Sequence, residues 1–439
     1  MKKRTLCVLL AALISAASCG CGANSKDYSV ADINAAEDTG VTAGAAKSDK
    51  YAGDSPLMEA ADASDDYGVE AAVGDYGDAA DAIGTAAGTA DESERQNKPQ
   101  AGQLTAGEWN DNENWGFFSN LVNSGTISYP VFGLNPVQRV TIEAKDKNGK
   151  PLVNAKAVLL DKSGNAIFGG VTNKDGIAYL FGTSERFAEA EVSFGGVSQK
   201  VSLESGSGSA QTKSDDTANT AGDISAQAVL DIDSKLYKAL DVMFILDTTG
   251  SMSDEMLFLQ SEFTAITDEI GTDNTRYAMN FYRDEGDDYV TRCNDFTDNI
   301  KSIQKALNKE SAEGGGDYPE AVAEALNESI FNSSWKDESV KLAFLILDAP
   351  PHEEKSKEIS EAIYKASEKG IRIIPVIASD SDRETELFGR AAAIYTGGTY
   401  VFLTDDSGIG NSHEEPIIGS YEVRSLYDTI VEIIKSYQQ

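Results

Sequence analysis

Asp247, Thr249 and Ser251 stand at alternate positions where the apolar run Val242-Met243-Phe244-Ile245-Leu246 gives way to Thr248-Thr249-Gly250-Ser251-Met252. A carboxylate at a strand's end, followed by hydroxyls at every second residue, puts hard oxygens on one side of a tight loop. Such oxygens suit a divalent cation such as Mg2+, with Mn2+ or Ca2+ as alternatives; Mg2+ keeps several waters and takes few protein groups. Alone the motif is weak, because Asp-Thr-Thr-Gly is also a turn sequence.

Two further loops strengthen it. Gly314-Gly315-Gly316-Asp317-Tyr318-Pro319-Glu320 precedes a helix-like run, Ala321 to Leu326. Ala343-Phe344-Leu345-Ile346-Leu347 is an apolar strand ending at Asp348-Ala349-Pro350-Pro351-His352. In this order the three loops resemble the metal-ion-dependent adhesion site of the von Willebrand factor A-type family, over roughly residues 236–439. Tyr282-Arg283-Asp284 after a strand fits the same branch of the family. The resemblance implies a cation held by Asp247, Thr249, Ser251, Asp317 and Asp348, some through water, with an acidic side chain of a protein partner completing the shell. The best-known adhesion members place Thr where Asp317 stands. The extra carboxylate would hold metal more firmly and weaken its pull on an external acid. His352 and His413, the only histidines, both follow predicted strands and form a candidate accessory site.

The elements that must position these loops are legible independently. Leu240–Leu246, Tyr277–Tyr282, Leu342–Leu347, Ile371–Ile377 and Thr399–Leu403 are short apolar or aromatic runs. Met256–Ile270 and Ile359–Ala366 between them have helical spacing. Alternating strands and helices predict an α/β doubly wound, mostly parallel sheet. Such sheets bind ligands beyond the carboxyl ends of their strands, where Asp247 and Asp348 fall.

The chain of 439 residues is long enough for two or three domains. Its start is basic (Lys2, Lys3, Arg4), then apolar from Leu6 to Ile14, then small: a signal-peptide shape, too short for a membrane span. Ala16-Ala17-Ser18-Cys19 resembles a bacterial lipobox, although Ala16 stands where Leu is usual. The expectation is a lipoprotein signal over 1–19, lipidation at Cys19, and an exported protein anchored to the cell membrane or outer membrane. Cys21 is the second choice for the lipid, and ordinary secretion the plainer alternative. Of the four cysteines only Cys293 lies beyond this region, so no disulfide framework is implied.

The formal net charge of −35 makes nucleic acid a poor partner. Residues 20–103 are rich in Ala, Gly, Asp, Ser and Glu, with few large apolar side chains. That composition predicts a disordered acidic linker, with a reach of about 50 Å for roughly 80 residues. Residues 104–137 hold Trp109, Trp115, Phe117 and Phe118 and read as an aromatic-rich connecting segment. From 138 to 204 two-residue alternation and turns such as Asn148-Gly149 predict a small all-β sandwich. Pro151 to Ala155 through Thr172 to Gly176 resembles the carboxypeptidase-regulatory-like domain, which implies a spacer or binding module without catalysis. Residues 205–232 read as a flexible linker, and 233–439 as the α/β domain.

Three functions are consistent with this. The first is an envelope-anchored protein, not an enzyme, binding a partner through the metal site. The second is an envelope scaffold whose metal is purely structural. The third, a metal-dependent phosphoesterase, would need a second metal or positioned base and a phosphate clamp; the loops offer little cationic help beyond Arg283.

Overall fold

A computed structural model describes residues 104–182, 187–203, 221–271, 273–407 and 414–438. Cys19, His413, the predicted signal and the segment 20–103 lie outside the described residues. The strands are β1 (Thr105–Trp109), β2 (Gln138–Lys145), β3 (Lys156–Asp161), β4 (Ala166–Val171), β5 (Ile177–Phe181), β6 (Phe187–Phe194), β7 (Val197–Ser202), β8 (Gly222–Val229), β9 (Ala239–Asp247), β10 (Thr275–Tyr282), β11 (Thr291–Thr297), β12 (Ser339–Leu347), β13 (Ile371–Ile377), β14 (Tyr400–Thr404) and β15 (Arg424–Ser425). The helices are α1 (Trp115–Asn123), α2 (Ser253–Ile270), α3 (Ile300–Leu307), α4 (Val322–Asn327), α5 (Ser356–Lys369), α6 (Arg383–Thr396) and α7 (Leu426–Tyr437).

The large sheet runs β11-β10-β9-β12-β13-β14-β1-β15. From β10 to β14 neighbouring strands are parallel, while β11 and β1 pair antiparallel. β9 is apolar almost throughout because both of its faces are covered, as parallel sheets require. Val242, Phe244 and Leu246 pack on one side with Phe263 of α2 and Ile430 of α7. Met243 and Ile245 point to the other, towards Leu326 of α4 and Ile363 of α5. Phe244 stacks on Phe344 at 5.3 Å and meets Phe263 edge-on at 5.7 Å. Each such ring contributes about 1.5–3 kcal/mol by leaving water. Register then sets the site: Asp247 pairs with Tyr282 on one side, and Leu246 lies opposite Ile346 on the other. Asp348, just past β12, therefore emerges beside Asp247.

The β-rich segment forms a three-stranded sheet, β5-β2-β8, and a four-stranded one, β4-β3-β6-β7. Inward residues of both, including Val140, Ile142, Leu159, Leu180 and Val192, share one core. That core does not stop at the segment's edge. Phe168 and Phe181 pack against Tyr395 of α6 at 5.7 and 4.5 Å, and Phe168 meets Tyr364 of α5 at 5.5 Å. These sheets and the helical layer of the large sheet bury one continuous apolar cluster.

Two boundaries also move. Residues 222–229, assigned by composition to the linker, are strand β8, which pairs in parallel with β2 along its whole length. Its polar and apolar residues alternate and only Ala228 is buried, so its composition resembles a linker's. The connecting segment 104–137 opens with β1, which pairs residue by residue with β14. It continues into α1, whose Phe118 is fully buried. Arg139 of β2 lies 4.1 Å over the Trp115 ring. Among the described residues no helix is long and apolar enough to cross a membrane.

Candidate metal site on the sheet's carboxyl edge

The chain after β9 turns at once into a short 3-10 turn, Gly250–Met252, and then α2. Asp247 and Thr249 are buried within this turn, whereas Ser251 is exposed at its tip. One oxygen of Asp247 holds the turn: its Oδ1 accepts from the Thr249 N–H (2.9 Å) and hydroxyl (2.7 Å). The other, Oδ2, is buried without a hydrogen-bond partner.

The second loop is laced to the first through backbone. Gly250 N–H donates to the Gly314 carbonyl (3.2 Å), and Glu313 N–H to that of Thr248 (3.1 Å). Gly314 and Gly315 both have positive φ, a conformation glycine adopts without strain. A Cβ on Gly315 would stand 3.0 Å from Glu320 Oε1 and 3.3 Å from Thr249 Cβ. The loop thus passes against Thr249 only because these side chains are missing. Its far end is laced to the third loop, since Glu320 bridges Pro351 and its N–H donates to the Pro350 carbonyl at 3.0 Å. Tyr318 adds a tie: its hydroxyl donates to the Asp348 carbonyl (3.2 Å) and accepts from the Asp382 N–H (2.9 Å).

Residues 241–408 match the family model described as the von Willebrand factor A domain. This segment is similar to a von Willebrand factor A domain over 168 of the chain's 439 residues. Similar solved structures include the conserved hypothetical protein BatB of Bacteroides thetaiotaomicron (17% identity, TM-score 0.34, 45% of this chain and 98% of that one). They also include an aerotolerance-related membrane protein of Bacteroides fragilis (16%, 0.31, 45% and 100%) and a von Willebrand factor type A protein of Catenulispora acidiphila (15%, 0.35, 47% and 43%). A search of curated proteins gives no significant match.

The A domain's loops can be tested for their fit to a cation. Four buried carboxylate oxygens among the described residues lack a hydrogen-bond partner: Asp247 Oδ2, Asp348 Oδ1 and Glu320 Oε2 on the loops, and Glu324 Oε2 on α4, whose other oxygen accepts from Lys355. Buried acceptors are ordinarily satisfied, and buried charges are paired or coordinate metals. Burial, and for Asp247 and Glu320 the neighbouring acids, raise the three loop carboxyls. Burial first, and then the Asp348 charge, push the Asp247 carboxyl up to about 7 against the pull of Thr249. Burial and the charges of Asp247, Asp284, Asp348 and Asp287 push Glu320 up to about 9. Asp348 is raised by burial, with the Ser251 hydroxyl acting the other way. Among the described residues no three His, Cys, Asp or Glu side chains already form a cation cage. The available donor set mixes carboxylates with the Thr249 and Ser251 hydroxyls, which suits a hard divalent ion retaining waters.

Asp317, like Ser251, sits differently from the buried Asp247, Thr249 and Asp348. Its side chain is exposed on the glycine loop, and its charge acts on His352. The carboxylate that this loop buries is Glu320, which sequence reasoning missed. Its signal was a charged residue directly before the apolar helix run, at the point where the loop turns inward. His352 Nε2 pairs with Asp284 Oδ1 at 2.7 Å; burial depresses the imidazole, but Asp284 outweighs it and raises the pKa. His413, its expected companion, lies outside the described residues. Arg283 is committed elsewhere, donating to the Ser311 carbonyl (2.8 Å) with its guanidinium over Tyr289.

Proposed function

We propose that the chain is an exported, lipid-anchored envelope protein whose A domain holds a divalent cation and binds a protein partner through it, without turnover. Asp247 and Asp348, with the hydroxyls of Thr249 and Ser251, would hold Mg2+, or Mn2+ or Ca2+. The cation would supply a positive centre for a partner's oxygen. The observation that carries this reading is the set of buried carboxylate oxygens without hydrogen-bond partners at the mouths of three interlaced loops. A phosphoesterase finds less support, because Arg283 already serves the Ser311 carbonyl and Lys355, just past the third loop, is paired with Glu324. The β-rich segment 138–204, which resembles a carboxypeptidase-regulatory-like module, would support the A domain through their common core.

Calorimetric titration of the full chain with Mg2+ and Mn2+ tests the cation. Capture of a cell-surface protein that requires the cation and is lost in EDTA tests adhesion. Saturable metal binding with no metal-dependent capture would leave only a structural ion.

Anchoring is tested separately. Cys19→Ser is expected to move the protein from the detergent phase to the aqueous phase. If Cys21→Ser does so instead, the lipid site lies two residues on; if neither does, lipid anchoring is wrong.

A further inference from the structure

At the sheet's opposite edge, where β13 begins, Arg372 is only 5% exposed. With Asn173, Tyr179, Ser367 and Thr396 it lines a recess between the β-rich segment and the helical layer. Arg139 and Arg390, similarly buried, are paired with carboxylates at 3.1 and 2.8 Å. Among the described residues Arg372 has no such partner. Of the five N–H donors a guanidinium carries, one reaches the Thr172 carbonyl, at a long 3.4 Å, and the Tyr437 ring lies 5.3 Å away. Asp241, a buried acid on the same edge, is taken by Arg276 (2.8 and 2.9 Å) and by the Ser339 hydroxyl (2.9 Å). The Ser367 hydroxyl is buried too, without a hydrogen-bond partner among the described residues. Asn173 Oδ1 accepts from the Ile177 N–H (2.9 Å), which leaves its Nδ2 as a donor at the rim. Buried charges are ordinarily paired, and buried donors ordinarily satisfied. Burial lowers the Arg372 pKa, and no carboxylate opposes the effect.

We propose that this recess is a carboxylate-binding site, in which Arg372 and Ser367 donate to one acid group reaching in from outside. The recess admits about one water-sized group. A single oxygen therefore enters, and the rest of the ligand stays at the mouth. A planar carboxylate can present one oxygen in this way, whereas tetrahedral phosphate has more oxygens to desolvate. Charge selects in the same sense. Helices α5 and α6 both end beside the recess, at Gly370 and Gly397, and helix carboxyl ends carry partial negative charge. They offset part of the guanidinium's charge, yet among the described residues no carbonyl of either helix accepts its hydrogen bonds. A monoanion supplies the missing acceptors. A phosphate dianion brings more charge than is left to balance.

The full chain is stripped of divalent ions on a chelating resin, so that the cation loops take no part. Acetate is then titrated at constant ionic strength, and binding is read from broadening of its methyl proton signal. The unaltered protein should bind acetate saturably, and acetamide at least about tenfold more weakly. Hydrogen phosphate should also bind more weakly than acetate. Arg372→Met should weaken acetate at least about tenfold. Its urea midpoint without acetate should not fall, because an unpaired buried charge gives way to an apolar side chain. Ser367→Ala breaks no side-chain hydrogen bond within the fold and should weaken acetate about fivefold. Glutamate capped at its amino and carboxyl ends separates the sources of the acid group. If it binds as tightly as acetate, and capped glutamine does not, the ligand is a peptide's acidic side chain; if acetate alone binds, it is a free small acid. Equal binding of acetate and acetamide, or tighter binding of phosphate, overturns the proposal. So does acetate affinity that Arg372→Met and Ser367→Ala leave unmoved. Should Arg372→Met unfold the chain, Ser367→Ala decides alone.

Discussion

Replacing Asp111 by alanine is expected to cost the protein about 3–5 kcal/mol, the usual consequence of taking one partner from a buried ion pair. Arg390 of α6 is fully buried. Its Nε and Nη2 donate to the two oxygens of Asp111, each at 2.8 Å, while Nη1 reaches Glu386 (3.0 Å) and the Ile417 carbonyl (2.9 Å). Without Asp111 half of this guanidinium loses its partners in a place water cannot enter. A loss of that size is a large part of an ordinary domain's stability. Urea denaturation of the full chain measures it. A change below about 1 kcal/mol would mean that Glu386 and Ile417 suffice. Asp111→Leu combined with Arg390→Met should recover much of the loss, because a well-packed apolar pair often replaces a buried ion pair without penalty.

Asp247→Asn is expected to reduce divalent-cation affinity more than about a hundredfold, beyond what removal of a supporting outer group costs. Asparagine can still accept from Thr249 through its amide oxygen, so the turn should persist. The same substitution exposes a pH effect in the metal-free protein. The folded-state pKa of Asp247 is raised to about 7 and that of Glu320 to about 9. The folded chain thus holds protons that the unfolded chain releases, and stability falls as pH rises. The contribution is fully present below the ordinary carboxylate range and is lost as pH passes about 7 for Asp247 and about 9 for Glu320. His352, also raised, acts with the same sign. In EDTA the urea midpoint should therefore fall between pH 5 and pH 9. Mg2+ should restore it increasingly as pH rises, since metal takes the place of the protons. Asp247→Asn should flatten the lower half of that fall. A metal-free midpoint that rises with pH would contradict the raised carboxyls.

The sheet's central strands were legible because strands covered on both faces are apolar along most of their length, as β9, β12 and β13 are apart from Asp241, Lys341 and Arg372 near their starts and the acid that ends β9. The strand ends then located Asp247 and Asp348. What escaped was structure whose partners are distant or whose faces are wet. β1 (Thr-Ala-Gly-Glu-Trp) has no repeating apolar pattern, and its partner β14 lies about three hundred residues on. β8 and β11 alternate polar side chains on sheet edges, so composition assigned β8 to a linker and passed over β11. Glu320 was missed for another reason. Gly314 and Gly315, at positive φ, redirect the chain just before Asp317, and spacing along the sequence does not say which of the acids that follow is carried inward. The ring contacts joining Phe168 to Tyr364 and Tyr395 had no local signature either.

The A-domain match, residues 241–408, omits both strands that finish the large sheet. Without them β14 would be an edge, with a row of unpaired N–H and C=O groups open to any extended chain. β1 takes those groups, and β15, only two residues long, takes the first pairs of β1. The Leu104 carbonyl also accepts from the Leu426 N–H at 2.8 Å, where α7 begins. A fragment cut at residue 233 would keep every cation loop and lose this cover. Its exposed edge would be a template for strands of other copies, a polymerisation hazard that the intact polypeptide avoids. Recombination that moved only the matched segment into another gene would carry the same hazard. The structural unit here is therefore larger than the matched segment: it reaches back at least to Leu104.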